Sequence, residues 1–313
     1  MMGLITNELI KIFKRKTTAF MYLILTVILL VAAAVILFAM DDKGSDKNWK
    51  PVLQAENNSL EEQLKTVPGE QNKYFIEKQI AENEYRIEKN IAPEDDYNVF
   101  GFMTDMMDMI VFVAIFTITI AAGMIANEFS WGTVKLLLIR PISRVKILLS
   151  KYIAVLLFSL SMIAVLLVFS FLIGAIFFGM GDGSPYLAYI EGEIIEKNHI
   201  LHLVVNYLLT SIGLFMLTTL AFMISAAFRN SSLAIGLSLF LLLMGTTLTN
   251  LLSVKFEWPK YILFANTDLI QYFDGVPLIE GMTLSFSITM LAIYFIVFHT
   301  IAFLAFVKRD VAA

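Results

Sequence analysis

Six stretches of this sequence contain no Asp, Glu, Lys or Arg and are long enough to cross a lipid bilayer. They cover residues 19–40, 109–126, 152–181, 203–228, 230–254 and 281–307. A spanning helix needs about 20 mostly apolar residues, because its backbone polar groups must be satisfied within the segment. We therefore predict an all-α polytopic membrane protein with six transmembrane helices. Composition agrees, since 58% of the residues are hydrophobic and only 16% are charged.

The charged residues are sorted between the two sides that these spans would separate. If the N-terminus is cytoplasmic, the cytoplasmic segments hold 12 basic and three acidic residues, and the outer segments hold 11 basic and 24 acidic residues. Short cytoplasmic loops of membrane proteins are enriched in Lys and Arg. We therefore expect a multi-pass protein with both termini in the cytoplasm.

The segments between the spans divide the chain into three regions. Residues 1–40 combine the first span with a short N-terminal helix, whose apolar and basic faces suit the membrane interface. Residues 41–108 carry apolar residues at heptad-like spacing on both sides of a Pro-Gly turn, which predicts an extracellular helical hairpin that acts as a spacer or a lid. Residues 109–313 form a five-span transmembrane domain.

Two shorter outer loops have different character. Loop 182–202 is acidic and places His199 and His202 three residues apart. Two histidines without carboxylates at a fixed spacing make a weak metal site, so we interpret them as interfacial polar residues and predict no metal. Loop 255–280 contains apolar runs that are too short to span, which predicts outer re-entrant helices before the last span.

The sequence lacks the residue patterns typical of an enzyme or an ATP-binding subunit. It has no cysteine, no His-Glu-x-x-His and no Gly-x-x-x-x-Gly-Lys phosphate loop. Tyrosines aside, His299 is the one ionisable side chain well inside a span, which makes it a candidate intramembrane polar site. We favour the alternative of a neutral histidine satisfied by a hydrogen bond, because a proton-coupled carrier normally shows several such groups.

The predicted cytoplasmic loop 127–151 is the most informative segment. Residues 131–133 predict a turn, followed by a short amphipathic helix that Pro141 ends, and Ser143 is placed to cap the next helix. Residues 136–139 are too apolar for a free loop, so they need the membrane surface or another protein. A basic interfacial helix is the structural alternative.

This loop resembles the loop between the second and third spans of ABC-2 type permeases, the membrane subunits of ATP-driven exporters. The sodium-extrusion and bacitracin-resistance branches belong to that family. The matching run is Glu128-x-x-x-Gly132-Thr133-x-Lys135-x-Leu137-Leu138-x-x-Pro141-Ile142-Ser143-Arg144. The similarity extends to the amphipathic N-terminal helix, the large first outer loop and the broken apolar segment before the last span.

The resemblance implies a permease subunit that couples ATP hydrolysis by a separate ATPase to export of an amphipathic or apolar substrate, such as a peptide antibiotic, a drug or a lipid. It assigns the coupling role to ten residues of the loop. They are Glu128, Gly132, Thr133, Lys135, Leu137, Leu138, Arg140, Pro141, Ser143 and Arg144. ATP and Mg would be bound by the partner, so we expect neither a cofactor nor enzymatic activity on this chain.

The same resemblance implies location in the bacterial cytoplasmic membrane. The expected partners are ABC ATPase subunits, a second permease subunit that is identical or similar, and the lipid bilayer, with no nucleic acid. The insert at 41–108 departs from polysaccharide-exporting members, which usually have a short loop there. Two other functions stay open: a sensor or scaffold for an extracellular peptide, and a stand-alone secondary carrier that depends on His299.

Overall fold

Six helices of this protein are long and apolar enough to cross a membrane, which confirms the predicted six-span helical architecture. The computed structural model describes residues 1–40, 49–91, 97–133, 142–181, 185–190, 192–228 and 230–308. Within these residues the chain is helical except for short connections and one two-stranded antiparallel sheet.

The N-terminal third contains one short amphipathic helix, one span-length helix and a helical hairpin. The elements are α1 (Met2–Phe13), α2 (Lys16–Met40), α3 (Trp49–Leu64), α4 (Glu70–Lys89) and α5 (Val99–Asp105). Along α2, the buried residues recur every three or four positions, so one stripe packs on the bundle and the remaining surface is apolar and exposed.

The middle of the chain forms most of the bundle. A 3₁₀ turn (Met106–Met109) connects α5 to α6 (Ile110–Ser130), and α7 (Arg144–Phe178) follows. Next come β1 (Tyr186–Ile190), β2 (Glu193–Lys197), α8 (His199–Phe228) and α9 (Ser231–Ser253). At about 1.5 Å per residue, the 35 residues of α7 exceed the hydrocarbon thickness, so this helix extends beyond it or tilts.

The chain between α9 and the last span, residues 254–283, is called the outer segment. It contains a 3₁₀ turn (Trp258–Tyr261), the one-turn helix α10 (Leu263–Asn266) and a second 3₁₀ turn (Ile270–Tyr272). The last span is α11 (Leu284–Phe303), which continues as a π-helical turn (Leu304–Lys308).

The centre of the bundle is the pair α6 and α8. More than half of the apolar stretch is buried in Val99–Ser130 and in α8, against about a fifth in α2, α9 and α11. The Ser225 hydroxyl accepts the backbone N–H groups of Ile125 and Ala126, at 3.1 and 3.0 Å, and so joins the two helices directly. Polar contacts of this kind hold helices together where lipid offers no hydrophobic driving force.

The hairpin of α3 and α4 packs along a narrow seam. Leu53 and Leu60 of α3 are buried. Between them, Asn57 Oδ1 accepts a hydrogen bond from Asn83 Nδ2 of α4 at 2.8 Å. A buried amide pair in an otherwise apolar seam fixes the alignment of the two helices, because any shift leaves both amides without a partner.

The bundle has two ends of different composition. The first, called the basic end, carries α1, the C-terminus of α6 and the N-terminus of α7. The other, called the hairpin end, carries the helical hairpin, the β-hairpin and the outer segment. The β-hairpin, with Tyr186 opposite Lys197, lies where the sequence predicted only an acidic loop.

Candidate functional site

Four charged side chains from three helices form an ion-pair network at the basic end, with Lys151 and Glu8 buried and Lys11 partly exposed. Lys151 of α7 is 1% exposed, and its Nζ lies 2.6 Å from Glu128 Oε1 of α6 and 3.0 Å from Glu8 Oε2 of α1. Lys11 Nζ lies 2.7 Å from Glu8 Oε1 and 3.8 Å from Glu128 Oε1. Two ammonium groups therefore face two carboxylates, and the network joins α1 to α6 and α7.

The network stabilises the charged form of Glu8. Burial raises the pKa of the Glu8 carboxyl, but the Lys151 and Lys11 ammonium groups outweigh burial, so the pKa lies below its ordinary value. Glu128 Oε2 is buried without a hydrogen-bond partner among the described residues. One acceptor position of the network is therefore unused in the described part of the chain.

A glycine turn follows the network directly. Helix α6 ends at Ser130, and Gly132 adopts a φ of +69°, a left-handed conformation that other residues adopt only with strain. The Thr133 hydroxyl donates to the Glu128 carbonyl oxygen at 3.3 Å and closes the helix end. Trp131 is 65% exposed beside this turn, as is typical of a residue available to lipid or to another protein.

The structure places five of the ten predicted coupling residues at the two ends of the loop. Glu128, Gly132 and Thr133 lie at the C-terminus of α6, and Ser143 and Arg144 lie at the start of α7. Five predicted residues lie outside the described residues: Lys135, Leu137, Leu138, Arg140 and Pro141.

The start of α7 differs from the expectation in one detail. Ser143 occupies the N-cap position, but its side chain makes no capping hydrogen bond, so the prediction of a side-chain cap is wrong. Arg144 Nη1 instead donates to the Val307 carbonyl oxygen at 3.1 Å, which ties α7 to the C-terminal end of the last span.

Sequence reasoning missed three members of the network: Glu8, Lys11 and Lys151. It used them only in the charge count that set the orientation. A signal was present, because Glu8 and Glu128 are two of only three acidic residues among the 12 basic ones assigned to that side. An isolated acid in a basic, membrane-facing segment indicates a specific cationic partner.

His299 lies in α11 and bonds to its own helix. Its Nδ1 is 2.8 Å from the Phe295 carbonyl oxygen, and its ring packs edge-on against Tyr152 at a centroid distance of 4.5 Å. The Tyr152 hydroxyl in turn lies 2.9 Å from Thr219 Oγ1. The described contacts of His299 are thus one hydrogen bond within its own helix and ring packing.

A second polar cluster joins four parts of the chain at the hairpin end. His202, in the first turn of α8, stacks on Tyr186 of β1 with ring centroids 3.6 Å apart. His202 Nε2 lies 3.2 Å from Asp274 Oδ2 in the outer segment. Lys78 of α4 lies 5.7 Å from the centroid of the Tyr186 ring. The sequence placed His202 near the outer interface but gave no sign of Asp274 as its partner.

Further contacts hold the helical hairpin of α3 and α4 against the β-hairpin. The Tyr74 hydroxyl donates to the Tyr189 carbonyl oxygen at 3.2 Å, and the Tyr85 hydroxyl donates to Glu196 Oε1 at 3.0 Å. Burial raises the pKa of Glu82 in α4, although Lys78 lies close by. The described residues include no group of three or more His, Cys, Asp or Glu side chains able to hold a metal ion.

Six bilayer-length helices and long apolar outer surfaces define a multi-pass membrane protein. Residues 64–312 match the family described as "Protein of unknown function (DUF2705)", and the chain belongs to that family. It is 49% identical over 315 residues to the uncharacterized protein YhcI of Bacillus subtilis (strain 168), covering 100% of both chains.

A second relative is itself described as a membrane protein. The chain is 34% identical over 224 residues to the uncharacterized membrane protein YdbK of Bacillus subtilis (strain 168), which covers 71% of this chain and 87% of the relative. No solved structure matches.

Proposed function

We propose that this chain is the permease subunit of an ABC transporter, which exports an amphipathic or apolar substrate while separate ATPase subunits bind ATP and Mg. In this proposal the basic end faces the cytoplasm of a bacterial cell, in keeping with the positive-inside distribution of Lys and Arg. The observation that carries the proposal is the ion-pair network of Glu8, Lys11, Glu128 and Lys151, centred on the buried Lys151 and lying directly before the loop that resembles an ATPase-coupling element.

The network suits the transmission of force from that loop. Glu128 starts the loop, and Lys151 lies at the beginning of the following span, so one buried contact of 2.6 Å joins the two ends of the loop. The Glu8–Lys151 pair connects α1 to α7, and the Arg144–Val307 hydrogen bond connects the start of α7 to the end of the last span. A movement of the loop would therefore move several spans together rather than one helix.

The spans themselves favour a substrate with apolar surface. The six uncharged stretches offer no Asp, Glu, Lys or Arg to bind a charged group at mid-membrane depth. The exposed apolar faces of α2, α9 and α11 leave room for lipid and for a second permease subunit. In such a dimer, the transport path would lie between the two copies.

Purification of the protein from its native host, together with any P-loop ATPase chain that associates with it, tests the proposal. The expected result is co-purification of the two chains and an ATPase activity that rises when they associate. Gly132→Val should abolish this stimulation, because the φ of +69° disfavours a branched side chain at the turn. Gly236→Val is the matched control, since Gly236 faces open space at an ordinary φ.

Glu128→Ala tests the same loop by removing the negative charge of Glu128. It should abolish stimulation while the protein still inserts in the membrane, because it removes the link to Lys151. Absence of any associated P-loop ATPase would overturn the proposal. Normal stimulation by both the Glu128 and the Gly132 variants would remove the coupling role from this loop.

A sensor for an extracellular peptide is the second candidate. Lys78 of the helical hairpin contacts Tyr186 of β1, which stacks on His202 of α8. This chain of contacts favours a sensor, because a ligand on the helical hairpin could act on the bundle. Deletion of residues 50–92 separates the candidates. A sensor would lose its response to peptide and keep transport.

A further inference from the structure

A cavity of about 340 Å³ opens between the outer segment, α9 and the helical hairpin. Its polar wall includes two carboxylates and two amides, and Phe75 and Phe264 supply aromatic surface. The polar side chains of the described wall are those of Thr246, Asn250, Asp268, Gln271 and Asp274. Among the lining residues that the structure describes, none is Lys, Arg or His. The wall of this cavity is therefore acidic and aromatic.

Asp274 is the unusual member of this wall. Its side chain is 8% exposed, and its Oδ2 lies 3.2 Å from His202 Nε2. Its Oδ1 is buried and has no hydrogen-bond partner among the described residues. A buried carboxylate oxygen without a donor is costly unless something else supplies one. Asp274 also lines the cavity, so its negative charge favours a cation bound there.

The surroundings favour an organic cation over a metal ion. Metal ions in proteins are held by several oxygen or nitrogen ligands, and the described residues include no group of three or more His, Cys, Asp or Glu side chains that could do this. Phe75 is 57% exposed at the cavity, where an aromatic face attracts ammonium and guanidinium groups and packs on their alkyl chains. The volume lies within the range of small-molecule sites.

We propose that this cavity binds an organic cation, an ammonium or guanidinium group on an apolar carrier, with Asp274 and Asp268 as its charge partners. Phe75 and Phe264 contact the apolar part. The sequence segments assigned to the outer side hold 24 acidic and 11 basic residues, an excess of negative charge that attracts such ligands from a distance. The site needs no ATPase subunit, so it stands apart from the proposed coupling function.

Binding of butylguanidinium to the full-length protein in a neutral detergent tests this site. Calorimetry should show saturable binding of butylguanidinium, no binding of the neutral isostere butylurea, and no displacement by Ca²⁺. Asp274→Asn and Asp268→Asn should each weaken binding by about tenfold, the loss typical of a charge-assisted contact. Glu257→Gln is the matched control, because Glu257 is an exposed acid of the same segment and does not line the cavity.

Three results would overturn the proposal. They are equal binding of butylurea, unchanged binding in both aspartate variants, and displacement of butylguanidinium by Ca²⁺, which would indicate a metal site. Melting curves check that each variant is folded, and if Asp274→Asn is not, Asp268→Asn decides alone. Cation binding without any associated ATPase would contradict only the proposed transporter, and ATPase association without cation binding would contradict only this site.

Discussion

At the scale of single residues, Lys151 is the most constrained side chain of the basic end. It is 1% exposed and faces the carboxylates of Glu8 and Glu128. Replacing a buried ion pair by apolar groups is often tolerated, but removing one partner leaves an uncompensated buried charge. The contribution of Lys151 to stability is therefore best measured by replacing Lys151 alone.

We predict that Lys151→Met lowers the free energy of unfolding by about 3–5 kcal/mol, because two carboxylates then share only the partly exposed Lys11. Thermal unfolding in detergent measures the effect. Lys146→Met is the matched control, since Lys146 is exposed on the same helix. Equal melting temperatures for the two variants would contradict a stabilising role of the network.

The lowered pKa of Glu8 predicts a dependence of stability on pH. The stabilisation is fully present above the ordinary pKa of 4.5, and it is lost as the pH falls through the lower pKa of the folded protein. Melting temperatures measured from pH 7 downward should fall in that acidic range. In Glu8→Gln, the loss of stability at acidic pH should be smaller. A pH profile identical to that of the unsubstituted protein would contradict the assignment of this stabilisation to Glu8.

At the scale of elements, the outer segment is held by its own polar side chains. Asn266 is fully buried and donates to the carbonyl oxygens of Lys260 and Ile262, both at 2.8 Å. The Ser287 hydroxyl of α11 donates to Asn266 Oδ1 at 2.7 Å. This segment therefore satisfies its irregular backbone internally, as non-helical chain near a membrane must.

Close packing of this segment on α8 depends on Gly213. A Cβ at that position would lie 2.8 Å from the Thr267 carbonyl oxygen, a backbone atom that cannot move alone. We predict that Gly213→Ala destabilises the protein by about 1–3 kcal/mol and increases hydrogen exchange in residues 254–283. Gly236→Ala, where a Cβ meets open space, should be neutral or slightly stabilising. Equal exchange in both variants would contradict this packing.

At the scale of the whole molecule, the separation of charge predicts the orientation in the membrane. The chain has no cysteine, so a single introduced thiol can be labelled without background. In intact cells, an impermeant maleimide should label Glu61→Cys of the hairpin. Trp131→Cys, beside the glycine turn, should react only after permeabilisation. The reverse pattern would contradict both the orientation and the proposed cytoplasmic coupling loop.

Much of the fold could be predicted because it is encoded locally. Each uncharged stretch is apolar on all sides, which leaves a helix as the only way to satisfy its backbone in lipid. The β-hairpin could not be predicted in this way, because its strands are five residues each and pack on α4 and α8, which lie elsewhere in the chain. Its tyrosines gave no periodic signal.

The candidate site shows the same difference between features that the local sequence predicts and features that depend on tertiary packing. From the sequence alone came the six spans, the charge asymmetry, and Glu128 and Gly132 as residues of interest. Only the tertiary structure decided that Glu128 meets Lys151 and that Lys151 meets Glu8, which lies 143 residues away. The same holds for Asp274 beside His202 and for the cavity that Asp274 lines. Local periodicity fixes where helices form, whereas the pairing of buried charges depends on which helices pack together.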